Sequence, residues 1–324
     1  MLKRISIELT KTIILVFLVT INLLGRTQPS NLTEVEILLK QAKIYVSEDP
    51  NKAQQLAKQA ISKSKLFNNK KLVIESYLVY AESGINFKLF DEAKTYLDSA
   101  IINSTRNNLY EQQIHCLTLY SKLGIEQGDN KLFLLKISDA SSLARKSKLT
   151  EEEIKIDLSM GDFLKSSGDF ERSITAKKRA LEKATKSNNR LLIAESWNSI
   201  GSTYWYFSHF QDALENYYKS YIIRESLKDT LGIIASLKNL GLVYRDLSNF
   251  DKAVSQLNQA LMLTDKTNSK IETSEILNLL GSLHYRFNRY NEAILYYKQS
   301  LEIRTKNGLL NSPANTLENL ARVN

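Results

Sequence analysis

The 324-residue sequence predicts an all-α chain, a right-handed α-solenoid of helix-turn-helix repeats. Three observations carry this expectation. Small residues recur with a 40-residue period. Apolar residues inside each period fall on helical stripes, not on the alternation of a strand. The chain has only 3 Pro and 11 Gly, too few for the corners of a turn-dense β-sandwich.

Composition narrows the function classes. Hydrophobic residues make up 43% and charged residues 24%, as in a folded chain. One Cys and three His exclude a disulfide framework and a Cys-rich zinc module. The net charge of +9 is spread without a block of five or six basic residues. Nucleic-acid binding needs clustered charge to displace phosphate counterions, so it is not expected.

Taken in order, residues 1–25 come first. Lys3 and Arg4 open the chain, Lys11 follows, and Thr12 to Gly25 carries no charge. The apolar run Ile13 to Val19 is shorter than the about 20 residues a spanning helix needs. Basic start, short apolar core and polar exit are the order of a secretory signal peptide or amino-terminal membrane anchor. Leu23, Gly25 and Thr27 give only a weak cleavage pattern, and no Cys follows for a lipid anchor. The expectation is export or anchoring on the periplasmic side, with membrane contact through this segment alone. The alternative is a cytoplasmic chain whose first helix is apolar. Residues 26–32 read as a linker.

Seven repeats are expected over residues 33–313. One small-residue column is Ala53, Ala93, Phe133 (an exception), Ser173, Ala213, Ala253 and Ala293. A second, seven residues on, is Ala60, Ala100, Ala140, Ala180, Ser220, Ala260 and Ser300. A third is Ala81, Ser121, Gly161, Gly201, Gly241, Gly281 and Ala321. These columns predict helix crossings. Each repeat has a first helix with a stripe such as Trp197, Ile200, Gly201, Tyr204, or Leu237, Leu240, Gly241, Tyr244. A second helix follows, burying Ala213, Tyr217 and Ser220 or their equivalents. Asn and Gly at Asn68-Asn69, Gly128-Asp129, Gly168-Asp169, Asn188-Asn189 and Asn307-Gly308 suit the left-handed turns between helices.

Two places depart from the pattern. In the first repeat the stripe reads Leu38, Ala42, Tyr45, one residue nearer Ala53 than expected. In the third and fourth, Gly124 and Leu164 stand where an aromatic belongs, and Asp157 falls on the buried stripe. Those repeats are expected to pack less well. Residues 314–324 read as a capping helix or a truncated eighth repeat.

The run Trp197, Ile200, Gly201, Tyr204, Phe210, Ala213, Tyr217, Ser220 resembles the tetratricopeptide repeats. The likeness covers roughly residues 33–324 and is strongest over 194–304. The family's usual period is about 34; the 40-residue form resembles that of kinesin light chains and bacterial signalling proteins. HEAT-type repeats, of similar period, lack the Gly–Tyr–Ala–Ala columns.

No nucleotide-binding or hydrolase motif is present, and no metal ligand spacing. His115 and Cys116 are adjacent on a helix and point about 100° apart, so they read as packing and not as a nucleophile–base pair. His209 falls in a turn, and His284 takes a buried tyrosine position. No enzymatic activity, cofactor or metal is expected.

The resemblance implies a concave groove lined by the first helices. Its candidate partner-binding residues are Asn198, Ser202, Trp205 and Tyr206, then Lys238, Arg245 and Asp246, then Asn278, Ser282, Tyr285 and Arg286. Asn amides suit a peptide backbone, Arg suits carboxylates, and aromatics give rigid contact area. The implied function is a non-catalytic scaffold that binds a protein or peptide segment in the groove. The alternative is the sensing portion of a membrane-bound signalling protein of the sensor histidine kinase type, without its catalytic part.

Overall fold

The computed structural model describes residues 31–47, 49–309 and 313–323. The expected export segment, residues 1–25, lies outside the described residues, as does the linker up to residue 30. Among the described residues there are helices and turns and no strand. The helix pairs are α1 (Asn31–Tyr45) with α2 (Pro50–Leu66), α3 (Lys70–Asn86) with α4 (Phe90–Arg106), and α5 (Tyr110–Glu126) with α6 (Asn130–Lys146). Then come α7 (Thr150–Ser166) with α8 (Phe170–Lys186), α9 (Arg190–Tyr206) with α10 (Phe210–Ser226), α11 (Thr230–Asp246) with α12 (Phe250–Thr267), and α13 (Lys270–Arg286) with α14 (Tyr290–Lys306). A last helix, α15 (Pro313–Val323), packs on α14 and touches α13. None of these helices is long and apolar enough to cross a membrane.

The turns explain the period. The middle residue of each is left-handed: Asn68 at φ 51°, Lys88 at 61°, Asn108 at 54°, Gly128 at 74°, and onward at 20-residue steps to Gly308 at 66°. Most of these turns close two otherwise orphaned carbonyls. Asn69 N–H donates to Ser64 O and Asn68 N–H to Lys65 O, both at 3.0 Å. One helix and its turn therefore take 20 residues, and a pair takes 40. Asn and Gly fill many of these positions, as expected. Ser248, which with Asn249 reads as a turn in the sequence, fills another, and Lys88, Lys148, Ser208 and Lys228 fill the rest, where sequence alone gives no turn signal. The residue after the left-handed one stands at the cap of the next helix, and seven of them bind it through their side chains. Asn69, Asp129, Asp169, Asn189, Asp229, Asn249 and Ser269 each accept from the N–H three residues on, contributing about 1 kcal/mol apiece.

The first two columns are fully buried throughout. The third is buried from Ala81 to Gly281, but Ala321 is exposed, because no second helix lies across α15 among the described residues. The glycines of this column do not face a bare backbone, as the sequence suggests. A Cβ on Gly201 would sit 2.9 Å from the Tyr217 ring, on Gly241 2.9 Å from Leu257, and on Gly281 2.6 Å from Tyr297. Glycine here makes room for a large side chain from the second helix.

The irregular repeats are compensated. In α1 the buried stripe is Val35, Leu39, Ala42 and Val46, with Leu38 and Tyr45 half-buried beside it. Residues 46–49 then separate α1 from α2, one more than the three residues between α2 and α3. Gly124 lies against backbone, with a Cβ there meeting Phe133 N at 2.8 Å and Asp129 O at 2.9 Å. Phe133 supplies the missing aromatic and stacks on Phe163 at 4.1 Å. Asp157 is buried but paired with Arg179 and, at 3.0 Å, with Lys183. The expected packing deficit is met by a ring exchanged between helices and by an ion-pair cluster.

Candidate functional site

First helices of successive pairs touch directly along α1, α3, α5, α7 and α9, while each second helix packs mainly on the first helix before and after it. The first helices therefore lie on the inside of the curve and form the floor of a groove.

Most polar candidates of that groove are already engaged with the next repeat. Asn239 Nδ2 donates to Asn198 Oδ1 at 2.8 Å, and Asn319 Nδ2 to Asn278 Oδ1 at 3.4 Å. Trp205 Nε1 donates to Asp246 Oδ2 at 2.8 Å. Arg245 Nε and Arg286 Nη1 meet Asp246 Oδ1 at 3.0 and 2.9 Å. Burial alone would raise the Asp246 carboxyl, but hydrogen bonds from Arg245 and Trp205 and both guanidinium charges hold it below the usual range. Lys238 pairs with Glu275 and, at 3.1 Å, with Glu272. Burial works to lower its pKa, and those two carboxylates outweigh it. Ser202 accepts from Lys165 at 3.1 Å.

The sequence sets these residues at matching registers of successive first helices. It did not show that Arg245, Arg286, Trp205 and Asp246 form one tie across α9, α11 and α13. Of the named candidates, Tyr206 and Tyr285 stay open, 55% and 37% exposed. Tyr285 leans on Tyr290 with ring centroids 5.7 Å apart.

Glycine also lets second-helix side chains pass through to the groove. Tyr217 and Tyr297 reach the hydroxyls of Ser202 and Ser282. Lys177, fully buried, passes Gly161, where a Cβ would meet its Cγ at 2.5 Å. Its Nζ ends on Asp162 Oδ1 at 2.6 Å and Ser199 O at 3.0 Å. Burial pushes its pKa down to about 8 against the pull of Asp162.

The His115–Cys116 pair splits between two environments. Cys116 is fully buried, and burial pushes its thiol up to about 12, which leaves it inert. His115 is not the packing residue the sequence suggests. It lines a groove cavity of about 420 Å³ between α3, α5 and α7, with Glu75, Glu82, Glu111 and Glu152. Groove water reaches it, yet surrounding protein lowers its pKa by desolvation. The signal for this cavity is in the sequence: Glu75, His115, Lys155 and Glu195 stand at one register of successive repeats. The candidate groove residues named from the sequence begin only at Asn198, beyond this cavity. His284 is buried as expected, set between Phe250 and Tyr296 with centroids 5.2 and 5.1 Å away. His209 stacks on Phe170 at 5.1 Å. Among the described residues no three His, Cys, Asp or Glu side chains gather as a metal site.

The family model described as tetratricopeptide repeat matches residues 210–266 and 232–306. The sequence matches no curated protein. The fold is similar to that of a signal transduction ATPase with numerous domains carrying a tetratricopeptide repeat sensor, from Pyrococcus horikoshii. The TM-score is 0.57 at 16% identity, over 89% of this chain and 45% of that one. This chain thus spans less than half of that protein. It is similar too to a Rap protein complexed with competence and sporulation factor, at TM-score 0.55 and 14% identity over 90% of this chain and 97% of that one. NprR in complex with its cognate peptide NprX gives 0.54 and 13% over 90% and 86%. At these identities the likeness is one of fold. With the helix pairs and buried columns described above, the matched span assigns residues 210–306 to the tetratricopeptide repeat family, inside a solenoid of the same fold that extends to both sides of them.

Proposed function

We propose that this solenoid is a non-catalytic protein-interaction scaffold that holds an extended protein or peptide segment in its concave groove. The observation that carries the reading is the open pair Tyr206 and Tyr285 on the groove side of α9 and α13. Large aromatics left exposed on one concave face mark an interaction surface more often than random decoration. Around them the Asn198–Asn239 pair leaves amide groups for a peptide backbone. The likeness to a Rap protein complexed with competence and sporulation factor and to NprR in complex with its cognate peptide supports partner binding by such a fold.

The test follows from which residues are free. Arg245 and Arg286 brace Asp246, so replacing them disturbs the fold as well as the surface. Tyr206→Ala with Tyr285→Ala is the cleaner variant. It is expected to shift stability by no more than about 1 kcal/mol in total. It is expected to weaken a partner recovered from the native cell at least tenfold, measured by titration at one salt concentration. Unchanged affinity in a folded double variant refutes the groove assignment.

We further propose that residues 1–25 export the chain or anchor it on the periplasmic side, on the strength of the basic-then-apolar order. Fractionation of the full-length chain beside one lacking residues 1–25 tests this; identical cytoplasmic recovery with an intact amino terminus refutes it. The second reading is a sensor portion of a membrane-bound signalling protein. The fold likeness to a protein with a tetratricopeptide repeat sensor favours it. Reading the gene beyond codon 324 for a membrane span and kinase separates the two.

A further inference from the structure

We propose that the amino-terminal end of the groove holds a cation pocket that seats an arginine side chain of the bound segment. The proposal rests on the groove reading above and adds to it the chemistry of the occupant.

The pocket is the cavity of about 420 Å³ lined by α3, α5 and α7 with Lys43 of α1. Its size is in the range of ordinary ligand sites, roughly 300–1,000 Å³. Its lining carries the carboxylates Glu75, Glu82, Glu111 and Glu152 against the ammonium groups of Lys43 and Lys155. The one close ion pair inside it is Lys155 with Glu152, at 2.6 Å. Glu75 and Glu82 reach only lysines outside the lining, Lys71 at 3.9 Å and Lys122 at 3.8 Å. Glu111 has no ion pair among the described residues. The lining therefore has carboxylate oxygens to spare, in a chain whose net charge is +9. His115 adds no opposing charge near neutral pH, because desolvation favours its neutral form.

Gln112 supplies an independent observation at the same cavity. It is only 6% exposed and lines the cavity, yet its carboxamide has no hydrogen-bond partner among the described residues. Its amide atoms are not sealed off; they face the cavity and are open to a ligand there. A donor from a ligand would satisfy its oxygen. Leu78 and Val79, 2% and 3% exposed, give the cavity an apolar wall. Apolar wall, spread carboxylates and an open amide oxygen suit a side chain with a methylene stem and several planar donors. That describes arginine better than lysine, whose compact ammonium lacks the planar fork of donors.

The test uses the full chain and two capped hexapeptides that differ at one position, arginine in one and citrulline in the other. Citrulline keeps the shape and removes the charge. Calorimetric titration at low salt is expected to show the arginine peptide binding at least tenfold tighter. Glu111→Gln with Glu152→Gln is expected to erase that difference, and Gln112→Leu to reduce it several-fold. Glu302→Gln, far away on α14, is expected to leave it unchanged. A lysine peptide binding as tightly as the arginine peptide overturns the choice of arginine. Spermidine binding more tightly than the arginine peptide overturns the peptide assignment. Equal affinities of the arginine and citrulline peptides overturn the pocket itself. That last result would leave the groove reading standing, since the latter is decided by Tyr206 and Tyr285 with the native partner.

Discussion

Lys177 occupies a position filled by Leu97, Ile137, Tyr217, Leu257 and Tyr297 in other repeats, and it is the charged member of that series. Its folded pKa of about 8 lies below its ordinary 10.5. Between those two values the unfolded chain binds the proton and the folded chain releases it. Raising the pH through this window therefore favours folding, and below pH 8 the buried charge is a standing burden. Lys177→Leu is expected to stabilise the chain at pH 7 by about 1–3 kcal/mol, since buried ion pairs are often outmatched by packed apolar groups. Urea midpoints of wild type and variant are expected to converge as pH rises from 7 to 10. A constant gap refutes the linkage. A second residue-scale test contrasts two glycines. Gly241→Leu forces a side chain into Leu257 and is expected to destabilise by about 2–3 kcal/mol. Gly308 has open space and φ +66°, so Gly308→Leu meets only backbone strain of about 1–2 kcal/mol. Thermal melts of the two variants check the order.

At the scale of elements, the helices differ mainly in how they begin. Leu89, Leu109, Leu149, His209 and Arg289 sit at the cap positions of α4, α5, α7, α10 and α14 and offer no side-chain bond. His209 and Arg289 instead lie against the rings of Phe170 and Phe250. Leu89 is 41% exposed, so it gives up a cap and gains little packing. Leu89→Asp is expected to raise stability by about 1 kcal/mol through an accepted bond from the first turn of α4 and a favourable helix dipole. A higher melting temperature, with unchanged helicity by circular dichroism, checks it. The left-handed turn residues were legible where they were Asn or Gly. At Lys88, Lys148 and Lys228 they were not, because the conformation there is imposed by the packing of the flanking helices and not preferred by the residue.

In the whole molecule, stability passes from neighbour to neighbour, so ties between repeats decide how cooperative the solenoid is. Asp246 joins three of them, through Trp205, Arg245 and Arg286. Its pKa is held below the ordinary 3.8, so the tie contributes above that value and is lost as pH falls through the folded pKa. Asp246→Ala is expected to lower stability by about 2–3 kcal/mol, from two strained guanidinium groups and an orphaned indole N–H. Hydrogen exchange is expected to quicken in α9, α11 and α13 while α1 to α5 keep their protection. Uniform quickening along the chain argues against nearest-neighbour behaviour.

The sequence by itself determined the architecture. Fixed spacing of small residues, two helical stripes per period and Asn or Gly at the turns each reflect local chemistry, and local chemistry is what a linear pattern records. It also set Asn198, Lys238 and Asn278 at one register of successive first helices, because side-chain direction on a helix follows from residue spacing. Only the tertiary structure decided which of those residues remain free. Whether Arg286 faces a partner or Asp246 depends on a contact across 40 residues of chain. The same holds for the exchange of Phe133 against Gly124, the passage of Lys177 beneath Gly161, and the gathering of Glu82, Glu111, Gln112 and Glu152 around one cavity. Each depends on how neighbouring repeats dock, and docking is set by the summed shapes of many side chains, which no single register of the sequence displays.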